Sequence, residues 1–123
     1  MTDLELRVND VVLEAAWTDE APETVRAIRA ALPLSGEASR WGDELYFRTD
    51  VDVGPEDARE GVEPGTIAYW PAGNALCLFW GPTPASEGDE PRAASPVNVV
   101  ARVEDVAPLA DLEGSASVEL REG

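Results

Sequence analysis

The chain contains no histidine, no lysine and no glutamine, and it has one cysteine and one methionine. Each absence removes a class of chemistry. Without histidine there is no Ser-His or Cys-His arrangement for nucleophilic catalysis. A single cysteine excludes an internal disulfide and, with no imidazole beside it, leaves no expected metal site. Phosphate-binding loops of the Gly-x-x-x-x-Gly-Lys type are absent. All nine cations are arginine, against 25 acids, for a net charge of −16. That balance offers no basic patch for phosphates, so nucleic acid is not an expected partner. No basic-then-apolar leader opens the chain, and no apolar run of about 20 residues survives uninterrupted. The expectation is a soluble cytoplasmic protein with no membrane contact, no metal and no cofactor.

What is present supports one folded domain over residues 1–123. Leu, Ile, Val and Phe supply 28 of the 123 residues, more than the roughly 20% below which a highly charged chain stays disordered. They also recur with a period, which disordered tails lack. The acids are spread, 15 in residues 1–62 and 10 in residues 63–123, so there is no acidic tail. An even coat of carboxylates resembles that of cytosolic proteins from salt-in halophiles. In molar salt the Debye length is about 3 Å, and self-repulsion is screened. Mimicry of nucleic acid would instead favour acids clustered on one segment.

One stretch stands apart. Thr66–Ser86 runs for 21 residues without a charged side chain and holds two of the four Trp and the only Cys, Cys77. Thr66–Trp70 and Ala75–Trp80 flank Pro-Ala-Gly-Asn and read as a hairpin with Gly73-Asn74 at its tip. In the second arm Leu76, Leu78 and Trp80 point one way and Ala75, Cys77 and Phe79 the other. A strand apolar on both faces must be covered on both. Cys77 reads as a buried small hydrophobe.

The remaining elements follow from period and punctuation. Leu4, Leu6 and Val8 alternate with polar residues, and Val11, Leu13 and Ala15 continue the alternation after Asn9-Asp10, giving a hairpin. A helix over about 20–32 is capped by Thr18 or Asp19, opened by Pro22 and stopped by Pro33. Strands are expected at about Gly36–Arg40, Asp43–Arg48, Pro96–Val103 and Ser115–Arg121. In the second of these, Leu45 and Phe47 share one face, and Glu44, Tyr46 and Arg48 the other. In Pro96–Val103, Val97, Val99, Ala101 and Val103 share one face, with Asn98, Val100 and Arg102 opposite. Residues 49–65 read as an acidic loop with one helical turn at Pro55–Arg59, and the segment from Gly81 to Ala94 as a polar, mobile loop. Glu104–Asp111 makes a short helical turn. Seven or eight strands and one helix imply a closed or nearly closed barrel.

The runs Leu32-Pro33, Trp41-Gly42-Asp43-Glu44-Leu45-Tyr46-Phe47, Gly65-Thr66-Ile67-Ala68-Tyr69-Trp70-Pro71, Ala75 to Pro84 and Pro96-Val97-Asn98-Val99-Val100 resemble, in the same order, small cyclophilin-like domains of archaea and bacteria. The resemblance covers nearly the whole chain and implies a mostly β fold: a closed cyclophilin-like β-barrel of about eight strands, one main helix and short helical turns. Ala101 stands where the family pattern has Gly. The family brings no established activity. True cyclophilins are peptidyl-prolyl isomerases with an F-H-R … Q-x-G-D pattern, which nothing in this chain matches, and a shared fold does not transfer activity.

The candidate site residues are therefore aromatic and guanidinium groups rather than a catalytic set. Tyr46 and Arg48 lie on the non-core face of one strand, Asn98 on that of another, and Trp70, Phe79 and Trp80 on the central hairpin. If these strands are neighbours, they form an outer groove for a peptide or a small organic ligand, with Arg48 holding a carbonyl or carboxylate. The plainer alternative is that the Trp and Tyr rings fill the barrel ends while the arginines pair with acids. Three functions stay open: a non-enzymatic binding domain, a divergent peptidyl-prolyl isomerase, and an assembly protein whose apolar hairpin face is a homodimer contact. Close carboxylate pairs such as Asp43/Glu44 are common simply because acids are common, and none is singled out for catalysis.

Overall fold

The computed structural model describes residues 3–123. Strands β1 (Leu4–Val8) and β2 (Val11–Trp17) form the first hairpin, with Leu6 opposite Leu13 and Asn9 in the left-handed region at the turn. Helix α1 (Pro22–Ala31) leads through Leu32-Pro33 into β3 (Leu34–Arg40) and β4 (Glu44–Arg48). A short β5 (Arg59–Gly61) precedes the central hairpin β6 (Thr66–Trp70) and β7 (Ala75–Phe79), followed by the long β8 (Arg92–Val103) and β9 (Ala116–Glu122). Neighbours run in the order β2-β1-β9-β3-β4-β7-β6-β8, and pairing of Ala15 with Val103 and Trp17 with Ala101 joins β8 back to β2. Eight antiparallel strands thus form a closed ring, as the strand pattern and the resemblance led us to expect. Closure removes the exposed sheet edges that would otherwise invite aggregation.

The alternation along each strand decides what fills the ring. Leu4, Leu6, Leu13, Leu45, Phe47, Ile67, Tyr69, Leu76, Leu78, Val118 and Leu120 share the inner core, and Ile28 of α1 packs into it. The opposite face of the central hairpin has its own apolar cluster: Ala68, Cys77, Phe79, Val97 and Val99 with Val62 and Ala93. All five residues of β7 are buried. The early part of β8, β5 and the residues after it supply the second cover that the doubly apolar strand requires.

Four expectations change in detail. Helix α1 is not capped by Thr18 or Asp19. Ala21 holds the cap position without a side-chain bond, and the carboxylate of Glu56 accepts from the Glu23 N–H (3.0 Å), the Thr24 N–H (2.8 Å) and the Thr24 hydroxyl (2.7 Å). The cap comes from a distant loop, so no local sequence signal announces it. Pro55–Arg59 is not a helical turn: Asp57 has φ +47° and β5 begins at Arg59. The polar segment after Gly81 ends earlier than expected, since Arg92–Ala94 already belong to β8, and Thr83 and Ser86 tie it to the carbonyls of Arg92 and Glu90.

The fourth change matters most for the site. Val97, Val99, Ala101 and Val103 do not share one face. Ile67 pairs with Ala101 but Ala68 pairs with Val99, so Val100 is an extra residue in β8. Such a bulge moves every residue beyond it to the other face. Ala101 and Val103 point into the barrel, while Val97 and Val99 point outward. Asn98 consequently points inward. It is fully buried, accepting from the Glu56 N–H at 2.9 Å and donating to the Thr24 hydroxyl and the Gly54 carbonyl, both at 3.0 Å. One amide therefore ties the strand, the helix start and the Glu56 loop together. Replacing Asn98 by Ala strands these buried groups and should lower unfolding stability by about 3 kcal/mol. Urea denaturation would measure it, and a loss within error of zero would show that the three-way clamp contributes nothing.

Candidate functional site

On the outer face of the barrel, the alternation of β4 brings Glu44 and Tyr46 to the same side, and β7 places Cys77 opposite Tyr46. Trp70 stands at the end of β6, and Ala93, Ala94 and Val97 come from the arm of β8. Trp41 closes the ring from the β3–β4 turn. Together these eight residues line a cavity of about 230 Å³. Tyr46 and Trp70 meet edge to face, with centroids 6.5 Å apart and planes at 77°. The Trp70 indole N–H donates to the Ser95 hydroxyl at 2.5 Å, tying the ring to the β8 arm.

Trp41 owes its position to the turn. Gly42 has φ +63°, and a Cβ there would lie 2.7 Å from the Thr83 backbone, so only glycine allows the segment after Gly81 to sit against this turn. Asp43 donates its N–H to the Pro82 carbonyl at 2.9 Å. Arg40 then fastens the turn from the other side. It donates to the Gly42 and Leu112 carbonyls, each at 2.6 Å, pairs with Asp43 at 3.0 Å, and lies 5.0 Å over the Trp80 ring.

The polar element of the cavity is Glu44. It is 6% exposed, and burial away from water pushes its carboxyl up to about 7, partly offset by the Cys77 thiol that hydrogen-bonds it. Burial, reinforced by the negative charge and hydrogen bond of Glu44, pushes the Cys77 thiol well above its usual range. Cys77 is thus a protonated donor, not a nucleophile. None of the seven ion pairs between described residues includes Glu44. Asp43 and Glu44 are adjacent but not equivalent: Asp43 belongs to the turn before β4, and Glu44 is the first residue of the strand. Asp43 pairs with Arg40 while Glu44 enters the cavity.

Of the residues singled out in the sequence, Tyr46 and Trp70 line the cavity and touch each other. Phe79 is buried in the same outer apolar cluster. Trp80 packs against the inner core beneath Arg40, Arg48 is exposed at the end of β4, and Asn98 points inward, so these three do not join the cavity. Trp41, Glu44, Cys77 and the β8 arm were missed. For Glu44 the signal was its alternation with Tyr46. For Cys77 it was the shared face with Phe79. For Trp41 and the β8 arm, only the turn geometry and the bulge decide the matter. Among the described residues no group of three His, Cys, Asp or Glu is placed to hold a metal ion, and no helix is long and apolar enough to cross a membrane.

A mostly β chain whose eight antiparallel strands close into a ring, with one helix packed into its core, has the fold expected of a cyclophilin-like domain. The chain belongs to the cyclophilin-like family, whose sequence profile matches residues 2–121. It is similar to the hypothetical protein AF2241 from Archaeoglobus fulgidus, whose structure was determined in solution. The identity is 42%, the match covers 99% of this chain and 95% of that one, and the TM-score is 0.80. Comparison with curated proteins finds no match.

The raised carboxyl of Glu44 has a measurable consequence. A group whose folded pKa, about 7, lies above its unfolded value near 4.5 binds more protons in the folded state between those limits. Stability therefore falls as pH rises through that window, by about 3 kcal/mol for this one group. Glu44→Gln removes the penalty, so the variant should gain on the parent between about pH 5 and pH 8 by that order. Parallel urea titrations check it, and a parent–variant difference independent of pH would contradict the burial of the charge.

Proposed function

We propose that this chain is a non-enzymatic ligand-binding domain, working in the cytoplasm of a salt-adapted cell, whose outer cavity holds a small organic molecule or a single side chain of a peptide. The observation that carries this reading is the convergence of Trp41, Tyr46 and Trp70 on a cavity left open among the described residues, with one buried carboxyl at its wall. Concave, mostly apolar sites with a few placed polar groups are the usual form of small-molecule sites. The volume sets the scale: about 230 Å³ is below the roughly 300–1,000 Å³ of drug-sized pockets, so the ligand is compact. With the Cys77 thiol held protonated and no histidine in the chain, the cavity has no nucleophile–base pair, which favours binding over covalent catalysis. Arg48, expected to hold a carbonyl or carboxylate of the ligand, is not among the residues lining the cavity, so the reading rests on the aromatic rings and Glu44 instead.

The salt adaptation rests on charge. The seven ion pairs between described residues engage six of the nine arginines and cannot neutralise 25 acids. Molar salt screens the remainder.

A fragment screen in molar KCl, read by tryptophan fluorescence and amide chemical shifts, tests the binding function. Hits should move residues of the β8 arm and β7. Trp70→Ala should weaken them about tenfold, by loss of aromatic contact area, whereas Trp80→Ala should leave them unchanged. A screen without hits, or hits indifferent to Trp70→Ala, would contradict the site.

A further inference from the structure

The geometry points to a compact organic cation, an alkylammonium or quaternary ammonium group on a small apolar body, as the ligand class of the outer cavity. This inference rests on reading the cavity as a ligand site, and it names what that site selects. Three aromatic side chains from three different segments, Trp41 from the β3–β4 turn, Tyr46 from β4 and Trp70 from β6, line one cavity with Glu44. Aromatic faces attract a cation through their negative quadrupole, most strongly where water is excluded, and cages of aromatic rings are a recurring solution for quaternary ammonium groups.

The charge pattern selects in the same direction. Glu44 is the only charged side chain lining the cavity, and the nearby guanidiniums are committed elsewhere, Arg40 to Asp43 and Arg92 to Glu60. Its side-chain partner among the described residues is a thiol, a weak donor. A buried carboxylate without a cation is costly, and a ligand that brings the cation removes that cost. An anion in the cavity would meet the Glu44 carboxylate at close range, where salt screens little, and is repelled. An inorganic ion fits poorly: calcium or magnesium takes six or more oxygens, whereas the remaining walls are aromatic rings, alanines, a valine and a thiol. A cation with an apolar periphery matches both parts of the wall.

The titratable groups facing Glu44 are few. Its own strand offers Tyr46 and β7 offers Cys77, while Trp70 of β6, the β8 arm and Trp41 offer none. A pH effect on cation binding between about pH 5.5 and pH 8 is therefore that of Glu44 itself.

Choline and the uncharged alcohol in which carbon replaces its quaternary nitrogen have the same shape and differ in charge. Both are titrated into the full chain in molar KCl at about pH 8, followed by tryptophan fluorescence and the amide shifts of Glu44, Cys77 and Ala93. Choline should bind at least about tenfold tighter than the alcohol. Glu44→Gln should abolish that preference by weakening choline at least about tenfold. In the parent, lowering the pH to about 5.5 should weaken choline by about tenfold and leave the alcohol unchanged. This last arm needs no variant and stands even if Glu44→Gln misfolds. An alcohol that binds as well as choline overturns the cation inference and leaves the ligand cavity intact. If choline moves no cavity residue while neutral fragments do, the inference also falls. If neither these probes nor any fragment binds, the binding function itself falls with it.

Discussion

A strand that is apolar on both faces cannot border water on either, and β7 is such a strand. Its five residues are all buried. Leu76 and Leu78 complete the inner core, which leaves Cys77 and Phe79 looking outward. The rest of the outer architecture answers that requirement. β8 is twelve residues long, more than ring closure needs, and its early part supplies Ala93 and Val97 to the outer cluster. β5 pairs with it from outside the ring. The bulge at Val100 lets one strand serve both cores, presenting Val97 and Val99 outward before it and Ala101 and Val103 inward after it. The cover is incomplete over Glu44, Tyr46 and Cys77, and the gap is the cavity.

The elements legible in the sequence were those set by local periodicity. The first hairpin, the central hairpin, β4 and the helix follow directly from alternation and punctuation, and the resemblance to cyclophilin-like domains matches the ring that they close. What escaped depends on residues distant in the chain. Glu56 caps α1 across more than thirty positions. Asn98 was placed outward because a strict period of two was carried through β8, and one inserted residue reverses that placement. Of the site, Tyr46 and Trp70 were accessible from pattern alone, and so in principle was Glu44, which shares a face with Tyr46. Trp41 was not, because its direction is set by the left-handed Gly42 and by the Arg40 anchor rather than by any period. Arg48 and Trp80 show the converse: residues of suggestive chemistry that the register sends elsewhere.

The same incompleteness explains the electrostatics. In a chain with so many acids, one carboxylate more or fewer at the surface would matter little, and the ion pairs formed there are mostly half-exposed and weak. Glu44 differs because aromatic and aliphatic side chains replace its water and no arginine follows it in. A carboxyl whose ionisation is shifted by burial in a cleft is a common mark of a functional site. Here the group sits at the wall of a cavity that three aromatic rings help to form, and this conjunction separates it from the other acids.

Glu44 is a buried carboxyl at the cavity wall, without an ion-pair partner among the described residues. A carboxyl-carbon NMR titration of the free protein in molar KCl tests it most directly, because the high salt screens the many surface acids and resolves the one that burial controls. The account predicts that one glutamate side chain, assigned to Glu44, titrates with a midpoint of about 7. A Glu44 midpoint in the ordinary range near 4.5, together with the other glutamates, would mean that water or a cation already reaches it, and the site would have to be abandoned.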